Sequence, residues 1–497
     1  MNKKNARFAF VYLGLLAALV FGACNGGGVS TTSACTVDQQ TVEGWTTGGI
    51  PSDVSGDDDC AFYKFAWHEM VHLVEQQDDG LPLFATWPND SALFPVTGSP
   101  QPWQTRSTPI TFRQTRKVGP FLADQVDQAA TLSPLVDQAG RIVQYTILTD
   151  SLEYTFISDN DLFTAVDFNV VADSLTTNNI GFPSGTIELK LSWQVLETCD
   201  LPDSPDPCTP QDTTNYLTVR GVVTHYRPGP DWGNEAVRAT LGLAGMHIIQ
   251  KTPTHPEWIW ATFEHVNNAP DTTQLQTGEW QFYNPQCTDP DSLGICNDNW
   301  FCTPCPFNFS ALDSSLKSEI KSSINGEWTI TVVDGDTLVN CVKRPNVFGR
   351  KNIALYNPKT CTADPIPTQV TRLDPIGSSV AELNASVQQA LGALGGPWTV
   401  LQNYELVGVL WHKDGSTDPN NAVEEGTSML SNTTMETYLQ NVTDGSHTGC
   451  FVCHEPTFNP APPSKDSLQI NSSGFDYSFI FQQIRNYDTT GTARSVR

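Results

Sequence analysis

Hydrophobic and polar positions divide this chain into a few segments of distinct period. Lys3, Lys4 and Arg7 precede an apolar run from Phe8 to Ala23. That run is short for a bilayer span and has the form of an export signal. From Ala61 to about Gln76, apolar Phe62, Phe65, Ala66, Met70 and Leu73 recur at helical spacing, which predicts an amphipathic helix. Beyond Trp87-Pro88 the pattern becomes short strands between Gly, Pro and Asp turns: Thr186 to Glu197, Tyr216 to Tyr226, Val237 to Lys251 and Glu257 to Val266. The Lys251 to Pro256 stretch between the last two reads as a hairpin connection. A helix is expected from about Val380 to Leu394, stopped by Gly395-Gly396-Pro397, and then a strand from Thr399 to Trp411. Lys413 to Asn421 is a polar, turn-forming boundary. Trp258 and Trp260 alternate onto one sheet face.

These elements predict an α+β chain: a large β-rich, sandwich-like domain followed by a small α-helical module. The divisions are 1–23 as signal peptide, 24–60 as flexible linker, 61–413 as the β-rich domain and 421–497 as the C-terminal module. Asp plus Glu number 54 against 27 Lys plus Arg. Such an excess of negative charge repels phosphate backbones, so nucleic acid is excluded as a partner, and a basic protein partner is favoured. The 13 cysteines suit an oxidising compartment. Cys35 with Cys60 and Cys199 with Cys208 are natural disulfides, while Cys287, Cys296, Cys302 and Cys305 are open to disulfide, zinc or redox use.

Two metal motifs compete. Cys450-Phe451-Val452-Cys453-His454 is the CxxCH pattern of covalent haem attachment. Thiols at i and i+3 can meet both haem vinyl groups from one turn, and the adjacent imidazole then serves as proximal ligand. A short helix starting at Thr433, with Glu436 completing a capping box, is expected just upstream. The rival is His68-Glu69-Met70-Val71-His72, the HExxH pattern in which i and i+4 histidines chelate zinc and the Glu acts as general base. Its context is poor. The extended zinc-protease pattern would need Gly and His where Glu75 and Asp78 stand, and the next Glu is Glu153.

At Cys450 to His454 the chain resembles the c-type cytochromes, which implies one covalent haem c, single-electron transfer and maturation outside the cytoplasm. More loosely, Gly245 to Pro253, Trp258 to Val266 and Asn432 to Thr437 resemble exported bacterial proteins described only as cytochrome c-like. Phe21-Gly22-Ala23-Cys24 resembles the lipobox of bacterial lipoproteins, which implies a lipidated Cys24, a membrane lipid anchor and a periplasmic or cell-surface location, with the outer membrane as the expected site. The common cytochrome plan supplies a Met ligand downstream of CxxCH. Residues 455–497 contain neither Met nor His. A distal ligand must therefore lie upstream, with Met435 first, then Met429, His412, His247 or His265. An empty sixth position would instead suit a haem-dependent oxidoreductase. His247 and His265 have the parity to share one sheet face, about 13 Å apart with a symmetric turn. The expected function is an electron carrier with a basic redox partner protein; a zinc metallopeptidase is the alternative.

Overall fold

The structure is a computed structural model that describes residues 35–105, 110–112, 135–164, 180–199, 213–223, 237–285, 305–306, 328–333, 336–341, 354–357, 362–365, 367–417, 422–454 and 476–484, apart from 79, 96, 275–277, 438, 442 and 444–447. The export signal, Cys24, Cys208, Cys287, Cys296 and Cys302 lie outside these residues.

Helix and strand are mixed, as expected. The helices are α1 (Gln39–Trp45), α2 (Asp59–Leu73), α3 (Asp90–Leu93), α4 (Ser151–Asp159), α5 (Ser378–Leu394) and α6 (Cys450–His454). The strands are β1 (Ile110–Phe112), β2 (Gln144–Thr149), β3 (Ile187–Cys199), β4 (Thr218–Val223), β5 (Val237–Gln250), β6 (Ile259–His265), β7 (Cys305–Pro306), β8 (Trp328–Val333), β9 (Asp336–Cys341), β10 (Ala354–Asn357), β11 (Thr362–Pro365), β12 (Tyr404–His412) and β13 (Glu424–Gly426). None of the described helices is long and apolar enough to cross a membrane. α2 starts where Asp58 caps it by accepting from the Ala61 N–H, and α5 stops at Gly395, whose φ is 71°.

The main sheet is organised by β5, 14 residues long. One of its edges pairs with β3 almost throughout, and β2 lies beyond β3. The other edge is shared: β4 takes residues 237–242 and β6 takes residues 245–250. Beyond β6 come β12 and then β13, all antiparallel, while β1 adds to β4 in parallel. The remaining strands form a three-stranded sheet, β7-β9-β8, and the pair β10-β11.

Alternation gives the main sheet two different faces. Ile187, Leu189, Leu191 and Trp193 of β3, Met246 and Ile248 of β5 and Phe263 of β6 point into the larger apolar cluster, with Trp67 and Met70 of α2 and Leu383 and Val387 of α5. This face is covered by helices rather than by a second sheet, so the described fold is a helix-on-sheet layer and not the expected sandwich. A buried polar lock fixes the helices in place. Asn384 of α5 accepts from the Trp67 indole and the Leu406 N–H, and donates to the Leu406 carbonyl.

The opposite face carries Glu188, Lys190 and Ser192 of β3, His247 of β5, and Trp260, Thr262 and Glu264 of β6. It is covered by α4 and by segments 431–437, 448–454 and 476–484, through an apolar cluster that includes Trp258, Trp260, Leu410, Phe451, Ile480 and Phe481.

Two expected boundaries are corrected. The stretch read as linker is built structure from residue 35: α1 buries Val42 and Trp45, and Cys35 is bonded to Cys60. The boundary near residue 413 lies within one architecture, since β13 pairs with β12 and the C-terminal segments pack on the same sheet.

Candidate functional site

α6 follows Gly449, whose φ of 53° suits glycine, and whose missing side chain is needed because a Cβ there would lie 2.7 Å from the Leu430 carbonyl oxygen. Just before it, the Thr448 N–H and hydroxyl both donate to Glu424 Oε2, at 2.7 and 2.8 Å. Phe451 is fully buried, stacked on His412 at 4.0 Å between ring centres and edge-on to Trp260 at 5.9 Å. This contact anchors the helix and leaves Cys450 and Cys453 as free thiols, three residues apart and half-buried. Burial raises both thiols above their ordinary pKa, so they stay protonated.

His454 lies between Trp260, at 4.6 Å, and Phe479, at 4.4 Å. Its Nδ1 is 3.0 Å from the Tyr477 carbonyl oxygen. A carbonyl only accepts, so Nδ1 carries the proton and the neutral ring keeps its lone pair on Nε2. Burial pushes the imidazole pKa down to about 4, which keeps it neutral at pH 7. A donor bond from one ring nitrogen to a backbone carbonyl is the usual way a protein fixes the orientation of a metal-binding histidine.

Charges stand close by. Glu436 Oε1 is 3.1 Å from His247 Nε2 and 4.0 Å from Lys190 Nζ. Burial would raise the Glu436 pKa, but His247, Lys190 and the Asn432 N–H together bring it down to about 2. Glu436 and Lys190 act electrostatically on Cys450, Cys453 and His454 alike.

Glu436 is positioned by a turn rather than by the expected helix. Its carboxylate accepts from the Asn432 N–H, not from Thr433, so the reciprocal pattern is shifted by one residue. Asn432 Oδ1 accepts from the N–H and hydroxyl of Thr434, while Asn432 Nδ2 donates to Thr262 and to the Phe263 carbonyl. The tighter turn wins because the sheet supplies these partners. Thr433 donates twice to buried Glu264, which also binds Arg372 at 2.8 Å. Such close approach needs Gly245: a Cβ there would lie 2.7 Å from Thr434 Oγ1. The three segments that carried the looser family resemblance thus meet on this face.

Met435 points elsewhere. It is fully buried in a third apolar cluster with Leu135, Val143, Tyr145, Ala269, Phe282 and Val370, whereas Cys450 packs with the cluster that holds Phe451. The structure therefore does not bring Met435 together with Cys450, Cys453 and His454. Met429 is half-buried, with a left-handed φ of 55°. His247 and His265 do not share a face. His247 pairs with Thr262, an odd residue with an even one, so His265 falls on the helix-covered face against Tyr216 and Tyr404. The hairpin connection is centred between residues 254 and 255, which pairs odd residues with even ones instead of odd with odd, and such a change of register inverts the faces.

The HExxH motif lies on α2, across the sheet. Trp45 stacks on His68 at 5.7 Å, and His68 Nε2 is buried against Gly48, where an added Cβ would lie 3.4 Å away. His72 Nδ1 is 3.4 Å from Glu75 Oε2. Glu69 is 1% exposed, and burial raises its pKa well above the ordinary carboxyl range, so it is uncharged. A general base must reach a metal-bound water, which a core carboxyl cannot do. Among the described residues no three His, Cys, Asp or Glu side chains form a metal-ligand set.

Sequence reading singled out the CxxCH residues but missed Lys190, Glu436 as a charge, Trp260 as a haem-motif neighbour, and Tyr477. Also missed were two buried carboxyls: Glu153 of α4 stands beside Glu188 of β3, which accepts from Ser478. The available signal was the polar alternation Glu188, Lys190, Ser192 along an otherwise apolar strand. Comparison of the chain with family models, curated proteins and solved structures finds no match.

Proposed function

We propose that this chain is an exported c-type haem protein that carries single electrons. Cys450 and Cys453 would hold one haem c through thioether bonds, and His454 would be its proximal ligand. Bound there, the group supplies reversible one-electron chemistry at iron. The observation that carries this reading is the His454 bond to the Tyr477 carbonyl beside two free thiols one helical turn apart. Burial keeps the ring neutral, and the bond places its proton on Nδ1 and leaves the lone pair on Nε2. Trp260 and Phe479 restrict rotation of the imidazole, and Phe451 seats the helix on the sheet.

Export by the Phe8 to Ala23 segment, with a lipid anchor at Cys24, would bring the chain to the compartment where such haem is attached. The net charge of −27 favours a basic redox partner. The test is expression of the full chain in a host with haem-attachment machinery. One covalent haem per chain is expected by the pyridine haemochrome assay, surviving denaturing electrophoresis. It should be lost in the Cys450→Ala, Cys453→Ala double variant. A colourless wild-type protein would overturn the proposal.

A further inference from the structure

The sheet face that carries α6 also holds a pair of buried carboxyls that the haem reading does not use. Glu153 of α4 is 0% exposed, and among the described residues no N–H or O–H group reaches either of its oxygens. Glu188 of β3, also buried, is its hydrogen-bond partner. Carboxylates only accept, so this bond exists only while one of the two carries a proton. The groups around the pair do not take the proton's place. Asp150 and Asp476 repel Glu153, and Lys251 is bound to Asp476 at 2.5 Å. Lys190 attracts Glu188, but its ammonium lies against Glu436 at 4.0 Å. Thr149, opposite Glu188 on β2, leaves its buried hydroxyl unpartnered. Burial raises both carboxyls above their ordinary pKa, and the charge of Glu188 adds to the rise at Glu153, so Glu153 carries the proton and Glu188 accepts.

The pair is tied to His454 through one residue. Glu188 Oε2 accepts from the Ser478 hydroxyl at 2.5 Å, and that hydroxyl accepts from the Ile480 N–H at 3.1 Å. Ser478 stands between the two residues that hold the imidazole: Tyr477, whose carbonyl is bonded to Nδ1, and Phe479, stacked on the ring. Tyr154 and Ile157 of α4 share an apolar cluster with Tyr477, Ile480 and Phe481. Loss of the proton leaves two negative charges in contact in a buried seam, and they must part. Either α4 lifts, which loosens the cluster, or Glu188 swings away and abandons Ser478. Both release the turn.

We infer that Glu153 and Glu188 form a clamp closed by one proton, which positions the turn from Tyr477 to Phe479 around His454 and opens when that proton leaves. As a clamp on the turn it stands without the haem; as a device that positions a haem ligand it rests on the c-type haem reading. A proton held more tightly by the folded than by the unfolded chain makes the hold complete at low pH and weakens it as pH climbs toward the raised value.

The experiment is hydrogen exchange of the full chain, read by mass spectrometry and corrected for the intrinsic effect of pH. The peptide of α5, on the other face, supplies the reference for the chain as a whole. From about pH 5 to about pH 9, wild-type protection of 476–484 should fall relative to α5, by up to about tenfold per pH unit for one proton. Glu153→Gln, whose amide can donate to Glu188 at every pH, should keep 476–484 protected and abolish that slope; a side chain that merely fills space would leave the slope in place. Where haem is bound, the wild-type midpoint potential should bend over the same pH interval. Protection of 476–484 that is independent of pH or falls only in step with α5, or a Glu153→Gln chain that keeps the wild-type slope, would overturn the clamp. A loaded protein whose potential shows no bend would overturn its link to His454. Haem content is measured separately by the pyridine haemochrome assay, so a haem-free chain defeats the functional proposal and leaves the exchange result standing. The wild-type profile decides even if Glu153→Gln fails to fold.

Discussion

The two faces of the main sheet each carry a metal-binding sequence pattern, and they treat it in opposite ways. On the α2 face the motif is absorbed by packing: Glu69 is a core residue, and Trp45 and Gly48 close over His68. On the α6 face Phe451 enters the apolar cluster, Cys450 only packs against it half-buried, and Val452 is buried beside them. The thiols are left free, and the histidine is oriented by a backbone carbonyl. Spacing puts ligands on one side of a helix in both cases. What separates the two is whether the same side chains are also needed to fill the core.

The largest effect should come from breaking the polar support of the α6 face. Glu264→Ala leaves Arg372 buried without its main partner and removes both bonds to Thr433. The expected loss is about 3–5 kcal/mol of unfolding free energy in urea titration. Next is Gly245→Ala, which forces the Asn432 to Thr434 turn off the sheet. About 1–3 kcal/mol is expected; if the chain carries the proposed haem, its spectrum should change more than in any equally destabilising substitution on the α2 face.

Glu69→Gln tests the other face. A carboxyl whose pKa is raised by folding makes the native state bind more protons than the unfolded state above the ordinary carboxyl range. Stability is then full at low pH and falls as pH climbs toward the raised value, by up to about 1.4 kcal/mol per pH unit for one proton. Glu69→Gln should flatten that part of the stability curve and raise the melting temperature at neutral pH, and should leave the spectrum of the proposed haem untouched. The smallest effect is a zero. Chelator treatment, or His68→Ala with His72→Ala, should leave the metal content of the purified protein unchanged by elemental analysis; stoichiometric zinc lost from the double variant would remove the contrast between the faces.

Much of this arrangement was legible in the sequence. The alternation of β3, β5 and β6 and the helical period of α2 and α5 placed those elements to within a few residues, because each has one strongly apolar side. The spacing of Cys450, Cys453 and His454 was legible as a motif, because the pattern is contiguous in the chain. The face of His265 was not, since parity across a hairpin depends on where the turn is centred, and the two prolines of the connection do not reveal it. The path of Asn432 to Glu436 was also hidden. A helical start and a turn clasped by a sheet share the same local Thr and Glu signals, and the deciding partners, Thr262 and Glu264, are about 170 residues away. Met435 was misread for a related reason: nearness along the chain to Cys450 says nothing about which apolar cluster claims its side chain.

Asp476 and Tyr477 both hold left-handed backbone, with φ of 52° and 64°, a conformation that costs non-glycine residues energy. The Asp476 carbonyl takes the Trp258 indole, its carboxylate takes Lys251 and the Phe182 N–H, and the next carbonyl is the one that steers His454. The aim of the imidazole is thus under remote control. Lys251→Met, which does not touch the helix of the cysteines, should loosen a coiled pair of peptides and broaden the distribution of ring orientations, a change that iron resonance spectra of the proposed haem-loaded protein would report as strain in their g values.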